Sequence, residues 1–296
     1  MLRHYWQVIK PGIIGGNLIT FLGGFFLASH GRPDIALMLV TASGLSLIIA
    51  SACVLNNCAD RDIDRLMLRT RTRALACGLM SPQAAIVYAS MLGLAGLALL
   101  LTTGRLLSLA MALAGFAVYA GAYSLYLKRR TVHATLIGSL AGAAPPLVGY
   151  CAAGGHFDMG AVILLLIFAL WQVPHFYAIA IYRLDDYRNA AIPVLPIVRG
   201  TATTKLHIVG YIMAFTIAAL ALGLCGYAGG VYLLMASAAG LAWLFVACKD
   251  FKRRGEHFWA RRMFLCSLAT VVILSAAMSL DPVVLLRLPQ VTAWNP

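Results

Sequence analysis

Long apolar segments recur along the whole chain and limit what it can fold into. Nine of them come close to the roughly 20 residues that a helix needs to cross a bilayer. They span residues 13–29, 35–55, 84–103, 106–127, 132–153, 159–181, 206–227, 231–248 and 263–280. Charged residues make up only 11% of the sequence, against about 25% in a soluble domain. We therefore predict an all-α polytopic membrane protein with nine transmembrane helices, forming a single integral membrane domain over residues 1–296.

Glycine and proline residues predict where these helices pack closely or bend. Four glycines lie in the first apolar segment: Gly15, Gly16, Gly23 and Gly24. Small residues let helix backbones approach each other in a membrane, so we expect close packing along this segment. The fifth segment contains Pro145 and Pro146 and the sixth contains Pro174, and each is expected to break or kink its helix.

Lysine and arginine residues predict how the chain crosses the membrane. Twenty of the 23 lie in the N-terminal tail and in every second connection after it, whereas only Arg32, Arg105 and Arg287 lie in the other connections. Because basic loops stay on the cytoplasmic side, the N-terminus is predicted to be cytoplasmic. The net charge of +13 is then mainly topological, with part of it suited to an anionic substrate or membrane lipid head groups, and no nucleic acid partner is expected. Without a signal or transit segment before the first span, we expect a bacterial inner membrane.

The most unusual polar stretch follows the second apolar segment. If that segment continues as a helix, Asn56, Asp60 and Asp64 lie at i, i+4 and i+8 on one face, about 6 Å apart. Asp62 points away from this ladder. Carboxylates at this spacing repel each other, and a bound divalent cation removes the penalty; oxygen ligands favour Mg²⁺. The alternative is a solvated loop held by ion pairs with the neighbouring arginines.

A second polar stretch follows the sixth apolar segment on the same predicted side. Asp185 and Asp186 lie there between Arg183 and Arg188, and Lys128 ends the fourth segment. Arg183 and Asp186 would share a helix face at i,i+3. Carboxylates that bind a metal, with basic side chains nearby, are typical of a diphosphate site, and the apolar bundle behind them suits a lipid tail.

Two polar residues inside apolar segments, His175 and Asn17, are candidates for a specific role. His175 has three interpretations: a packed, hydrogen-bonded histidine, a ligand of heme iron, or a polar contact to the substrate. Asn17 is expected to form a hydrogen bond between helices or to contact the substrate.

The motif Asn56-x-x-x-Asp60-x-x-x-Asp64 resembles the first aspartate-rich motif of the UbiA superfamily of intramembrane prenyltransferases. The longer run from residue 56 to 70 is similar to the heme-specific branch of that superfamily, the heme farnesyltransferases that make heme O. Further stretches agree in order along the chain, at residues 10–18, 123–129, 138–146, 171–175 and 192–196. The likeness covers about residues 10–200.

The resemblance implies a nine-helix UbiA fold with its active site open to the cytoplasm. It also implies that farnesyl diphosphate ionises with the help of Mg²⁺ and that a vinyl group of heme B, a substrate and not a cofactor, attacks the allylic carbon. Water completes the addition. Association with a terminal oxidase or with the heme A synthase machinery is a further expectation.

Carried over to this sequence, the resemblance implies a catalytic set and a substrate-binding set. The catalytic residues are Asn56, Asp60, Asp64, Lys128, Arg183 and Asp186. The first three would hold the metal and the diphosphate, and the basic residues would neutralise phosphate charge. The substrate-binding residues are Lys10, Asn17, Arg61, Arg69, Tyr126, Arg129, His175, Tyr187 and Arg188.

One departure from the superfamily pattern concerns its second motif, which usually has aspartates four residues apart. Here Asp186 is followed four residues later by Ala190, so a second Mg²⁺ site of the usual kind is not expected, and Arg183 or Arg188 would take over part of its work. Two other classes fit less well: a UbiA-type enzyme acting on an aromatic acceptor, and a membrane transporter, whose site would lie near the midplane.

Overall fold

The structure, a computed structural model, describes residues 2–249, 251 and 255–281 of the chain. Helices account for nearly all of the regular structure in these residues. In chain order they are α1 (Leu2–Val8), α2 (Pro11–Ser29), α3 (Ile35–Ala59), α4 (Arg61–Leu66), α5 (Pro82–Thr102), α6 (Leu106–Phe116), α7 (Ala134–Gly154), α8 (Met159–Tyr182), α9 (Leu184–Asn189), α10 (Leu195–Val198), α11 (Gly200–Leu224), α12 (Gly230–Lys249) and α13 (Glu256–Leu280).

Within the described residues, nine helices are long and apolar enough to cross a membrane, which confirms the predicted count. They are α2, α3, α5, α6 with its continuation to Arg129, α7, α8, α11, α12 and α13. The main differences in bounds are that α11 begins at Gly200 and α13 at Glu256, earlier than the predicted 206 and 263, because the helices continue into polar turns beyond their apolar parts. Part of the charge pattern, Lys252 to Arg254 and Arg287, lies outside the described residues.

α7 is the most enclosed of these helices. α7 packs mainly against α2, α8 and α6, whereas α13 contacts α8 and α2. α3 packs chiefly against α5. A Cβ on Gly24 of α2 would overlap the carbonyl oxygen of Pro146 in α7, so glycine is required at this crossing. The close packing predicted for this segment is confirmed at Gly23, next to Ser275, and at Gly24, whereas Gly15 and Gly16 face open space.

The prolines inside the spans do not interrupt their helices. α7 runs without a break from Ala134 to Gly154 through Pro145 and Pro146, and α8 runs through Pro174. All three prolines are buried. A break at Pro145 and Pro146 is therefore excluded, and a kink at these prolines or at Pro174 stays a prediction; neighbouring helices can satisfy the backbone groups that proline leaves unpaired.

The second half of the fourth span has an unusual backbone. α6 continues as a π-helix over Ala117–Tyr126 and ends in a 3₁₀ turn over Leu127–Arg129. The Ser124 hydroxyl donates to the Tyr119 carbonyl oxygen, five residues earlier, at 2.7 Å. π-helical segments are rare and are found mostly at functional sites. This one directs Ser124 and Lys128 toward the end of α3.

Candidate active site

The predicted ladder forms where α3 passes into α4. Asp60 lies between the two helices (φ −92°, ψ 0°). The backbone N–H of Asp60 still donates to the Asn56 carbonyl oxygen, and that of Asp64 to the Asp60 carbonyl oxygen, as in a continuous helix. The side chains of Asn56, Asp60 and Asp64 are all buried. Asn56 Nδ2 donates to Asp60 Oδ2 at 3.0 Å. The i, i+4 spacing thus places the first two members side by side, as the sequence predicts.

Each member of the ladder is bound to a basic side chain from another part of the chain. Lys10 Nζ donates to Asn56 Oδ1 at 2.6 Å, and Lys128 Nζ donates to Asp60 Oδ2 at 2.5 Å. Arg73 donates to both carboxylate oxygens of Asp64, at 2.9 and 3.1 Å. Three cations therefore offset the charge that these acids would otherwise bury unpaired.

Lys10 reaches the ladder from a strained backbone. Its φ is 55°, in the left-handed region that a residue with a side chain rarely adopts. Pro11 follows it as the first residue of α2. Such strain is found at functional sites, where the surrounding structure compensates its cost. Burial lowers the pKa of Lys10 to about 8, because the charged ammonium loses solvation.

The donor set of the ladder fits Mg²⁺. Asp60 Oδ1 is buried and has no hydrogen-bond partner, which leaves a carboxylate oxygen that a cation would satisfy. Among the residues that the structure describes, no three His, Cys, Asp or Glu side chains converge as a metal cage. Mg²⁺ is usually bound by one or two carboxylates together with substrate phosphates and water, so Asp60 and Asp64 suffice on the protein side.

Two residues at the ladder were not in the predicted set. Arg73 holds Asp64, and Ser124 Oγ accepts a hydrogen bond from Asn56 Nδ2 at 2.9 Å. Arg73 is the last of the five arginines between residues 61 and 73, but the sequence offers no reason to choose it among them. Ser124 lies in one of the stretches that resemble the superfamily, and its direction depends on the π-helix.

Arg129 was predicted to bind substrate, and the structure directs it elsewhere. Its guanidinium donates to both carboxylate oxygens of Asp62 at 2.6 Å and to the carbonyl oxygen of Ala59 at the end of α3. These hydrogen bonds lower the pKa of Asp62 to about 2. Asp62 points away from the ladder, as expected. Arg129 therefore joins the end of the fourth span to the end of α3, next to Lys128.

Several other predicted binding residues lie apart from the ladder. Tyr126 is exposed and stacks under Arg130, whose Cζ is 4.2 Å from the ring centroid. Arg61 and Arg69 are exposed near the ladder, but no hydrogen bond or ion pair joins them to it within the described residues. Arg188 is also exposed. The geometry thus leaves these four positions at the rim of the site.

The second polar stretch does not form the predicted face. α8 ends at Tyr182 and the backbone breaks at Arg183 before α9 begins, so Arg183 and Asp186 are not paired. The Arg183 guanidinium instead lies over the Tyr182 ring, 4.5 Å from Cζ to the centroid. Asp185 pairs with Arg188 at the surface. The expected i,i+3 face requires a continuous helix, which this stretch does not have.

A cleft runs between the π-helix, α7 and α8 next to Lys128. Tyr123, Phe176 and Tyr187 line it, together with Lys128 and small apolar residues. Burial raises the pKa of Tyr187, so its hydroxyl stays protonated at neutral pH. Because the cleft combines aromatic rings with polar groups and begins at the half-buried Lys128, it suits the end of an isoprenoid chain that carries an anionic head group.

The two intramembrane polar residues both have partners. His175 Nδ1 lies 2.8 Å from Ser267 Oγ, and its ring stacks on Trp171 with centroids 5.0 Å apart. This geometry favours the packed, hydrogen-bonded interpretation of His175. Asn17 Nδ2 donates to the Ile13 carbonyl oxygen of its own helix at 2.8 Å. The predicted bond between helices is therefore absent at Asn17, because the side chain is satisfied one turn earlier on α2.

Comparisons with known proteins agree with this geometry. Residues 17–269 match the family model of the UbiA prenyltransferase family. Proteins named protoheme IX farnesyltransferase are similar over nearly the whole chain. The one from Photorhabdus laumondii subsp. laumondii is 53% identical over 282 residues, 95% of this chain and 96% of that protein. The one from Yersinia enterocolitica is 53% identical over 281 residues, 95% of each chain.

Solved structures share the fold at low sequence identity. A structure of digeranylgeranylglyceryl phosphate synthase gives a TM-score of 0.76 at 17% identity, covering 94% of this chain and 98% of that one. A UbiA homolog from Archaeoglobus fulgidus bound to GPP and Mg²⁺ gives 0.66 at 15% identity, covering 93% and 99%. The match to the family model, the similar relatives and the shared fold agree. This chain is a multi-pass membrane enzyme that belongs to the UbiA prenyltransferase family.

Proposed function

We infer that this enzyme transfers a farnesyl group from farnesyl diphosphate to a vinyl group of heme B, with addition of water and release of diphosphate. The observation that carries this inference is the 53% identity, over 95% of the chain, to proteins named protoheme IX farnesyltransferase. The geometry of the site supports it, because acids and cations meet beside a cleft lined by aromatic rings.

The ladder and its three cations suit the binding of a diphosphate. Asp60 and Asp64, with Asn56, would hold Mg²⁺, which supplies charge neutralisation on the leaving group. Lys10, Lys128 and Arg73 now bind the ladder itself, and a diphosphate arriving with its metal gives them phosphate oxygens instead. The cations then favour cleavage of the carbon–oxygen bond, because negative charge builds up on the departing diphosphate.

The cleft suits the farnesyl group and the allylic cation. Aromatic rings of Tyr123, Phe176 and Tyr187 line it, and ring faces attract cations. Exclusion of bulk water protects the cation until a vinyl carbon of heme B forms the new carbon–carbon bond. A water molecule then adds to the neighbouring vinyl carbon and loses a proton.

We propose that the N-terminus and the active site face the cytoplasm of a bacterial inner membrane and that the chain is one integral membrane domain. The distribution of basic residues supports this orientation, and the similar relatives are bacterial. Association with a terminal oxidase or with the heme A synthase machinery stays a prediction from the resemblance.

An acceptor test separates this function from others open to the family. Purified protein would receive labelled farnesyl diphosphate and Mg²⁺ with either heme B or 4-hydroxybenzoate, and the label in each acceptor would be measured. We expect label in heme only, and none after EDTA. Label in 4-hydroxybenzoate would assign an aromatic acceptor, and no transfer to either acceptor would contradict the proposed reaction.

A further inference from the structure

Asp186 differs from the adjacent Asp185 in its burial and in its hydrogen-bond partners. It is buried, with 8% of its surface exposed, whereas the Asp185 side chain is 90% exposed and pairs with Arg188 at the surface. Asp186 Oδ1 accepts a hydrogen bond from the backbone N–H of Leu68 at 2.7 Å. This bond joins the connection after α3 to the connection after α8, 118 residues apart in sequence.

Apolar packing surrounds this hydrogen bond. Ile63 and Met67 from the first connection form a buried cluster with Ala190 and Ile192 from the second. Tyr187, next to Asp186, packs against the same cluster. The two connections therefore pack together, and the Asp186–Leu68 hydrogen bond is a polar contact between them next to the apolar cluster.

The anchored segment carries a residue that acts on the ladder. Arg73, five positions after Leu68, binds both oxygens of Asp64. Thr70 Oγ1 donates to the Asp64 carbonyl oxygen at 3.1 Å. The hydrogen bond to Asp186 thus holds the first residue of the segment Leu68–Arg73 in place. The last residue of this segment, Arg73, binds Asp64.

The surroundings of Asp186 do not resemble a second metal site. Asp185 turns to the surface, and Ala190 lies where a further acid would complete the pair. We propose that Asp186 is a positioning residue: it anchors the Leu68–Arg73 segment beside the Asp60–Asp64 ladder, and it is not a ligand of a second metal ion. This proposal rests on the proposed function in one part of its test, which measures farnesyl transfer.

Four variants distinguish the effect of losing the hydrogen bond from the effect of losing the carboxylate charge. Asp186→Asn keeps an oxygen acceptor for the Leu68 N–H and removes the charge that a metal would need. Asp186→Ala removes both. Leu68→Pro removes the donor and restricts the backbone at residues 67 and 68, but it leaves Asp186 intact. Leu68→Ala, at an exposed side chain, keeps the donor and is the matched control for loss of the leucine side chain. All four variants would be made in the full chain and purified in detergent.

Two readouts are needed. The first is the rate of trypsin cleavage after the exposed Arg69 and Arg71 without any substrate, which reports local opening of the segment. The second is the Mg²⁺ concentration that gives half-maximal farnesyl transfer. The cleavage rate does not depend on which acceptor the enzyme uses, so failure of the proposed function and failure of the anchor can be told apart.

We expect cleavage about tenfold faster in Asp186→Ala and in Leu68→Pro than in Leu68→Ala, because the segment opens when the bond is lost. We expect Asp186→Asn to stay within about threefold of the unmodified protein in both readouts, since an amide oxygen still accepts the bond. If Asp186→Ala does not fold, Leu68→Pro carries the test alone. Unchanged cleavage in Leu68→Pro would overturn the anchor, and a tenfold rise in the Mg²⁺ requirement of Asp186→Asn would assign Asp186 to the metal.

Discussion

Asp60 lies where the opposing charges of the site meet. One of its oxygens binds Lys128 and Asn56, and the other is buried without a hydrogen bond. Leaving a buried polar atom unpaired costs about 1–3 kcal/mol, and more when the group is charged. A cation bound to this carboxylate oxygen would remove that cost. We therefore propose that the metal binds at Asp60 and Asp64.

Lys10 gives a pH dependence to substrate binding. Burial lowers its pKa to about 8, so the ammonium that would bind a phosphate oxygen is lost as the pH rises through 8. We expect the KM for farnesyl diphosphate to rise above pH 8, approaching about tenfold per pH unit, with kcat changing less.

The matched variant for Lys10 is Lys10→Arg, which keeps its charge at every pH used. Its KM should stay nearly constant between pH 8 and 9.5, whereas the KM of the unmodified protein rises over that range. A pH profile of Lys10→Arg identical to that of the unmodified protein would show that another group titrates.

Residue-level prediction from the sequence succeeded where contacts are local. The i, i+4 spacing indicates that Asn56 and Asp60 are neighbours, because a helix fixes that distance. The partners of the ladder are not local: Lys10 is 46 residues from Asn56, and Lys128 is 68 residues from Asp60. Which of the basic residues reach the ladder depends on how the helix ends meet, and the sequence pattern does not contain that information.

The π-helix of the fourth span is the element that aims Lys128. Deleting Gly121 would let Ala117–Tyr126 return to α-helical geometry and would remove the bond across five residues that holds the Ser124 hydroxyl beside Asn56. We expect turnover to fall at least a hundredfold, about 2.7 kcal/mol, while the protein still inserts into the membrane.

The matched control for this deletion is Gly121→Ala, because a Cβ at Gly121 has open space around it. It keeps the length of the segment and should retain turnover within about threefold. Normal turnover in the deletion variant would show that the π-helical register does not matter to the site.

The crossing of α2 and α7 depends on Gly24. A Cβ there would overlap the carbonyl oxygen of Pro146, so Gly24→Ala must push the helices apart. We expect it to lower the free energy of unfolding by about 1–3 kcal/mol, measured as a lower Tm in detergent. Gly16→Ala, on the same helix but in open space, should change the Tm little, and equal Tm values for the two variants would contradict this view of the crossing.

At the scale of elements, the apolar segments predicted the nine spans because span length follows bilayer thickness. The pattern did not predict that α7 stays helical through Pro145 and Pro146, since that depends on the neighbours of α7. Nor did it distinguish Gly24 from Gly16. Both are glycines in an apolar run, and only the position of α7 decides which one is needed.

The orientation of the whole molecule can be tested with its own cysteines. Cys77 lies in the connection between α4 and α5, and Cys225 follows α11; both are exposed. Alternation of the spans places them on opposite sides of the membrane. In variants that keep one of the two and lack the other cysteines, a membrane-impermeant maleimide should label Cys225 in intact cells and Cys77 only after lysis. The reverse pattern would invert the proposed topology.

The most direct test of the central claim is mass spectrometry of the heme recovered after the purified protein is incubated with heme B, farnesyl diphosphate and Mg²⁺ in ¹⁸O-labelled water. We predict a heme heavier by one farnesyl group and one labelled water, absent with EDTA and absent in Asp60→Asn. Asp185→Asn, at the exposed carboxylate, is the control that should still form it. Unmodified heme from protein that still binds farnesyl diphosphate would contradict the account.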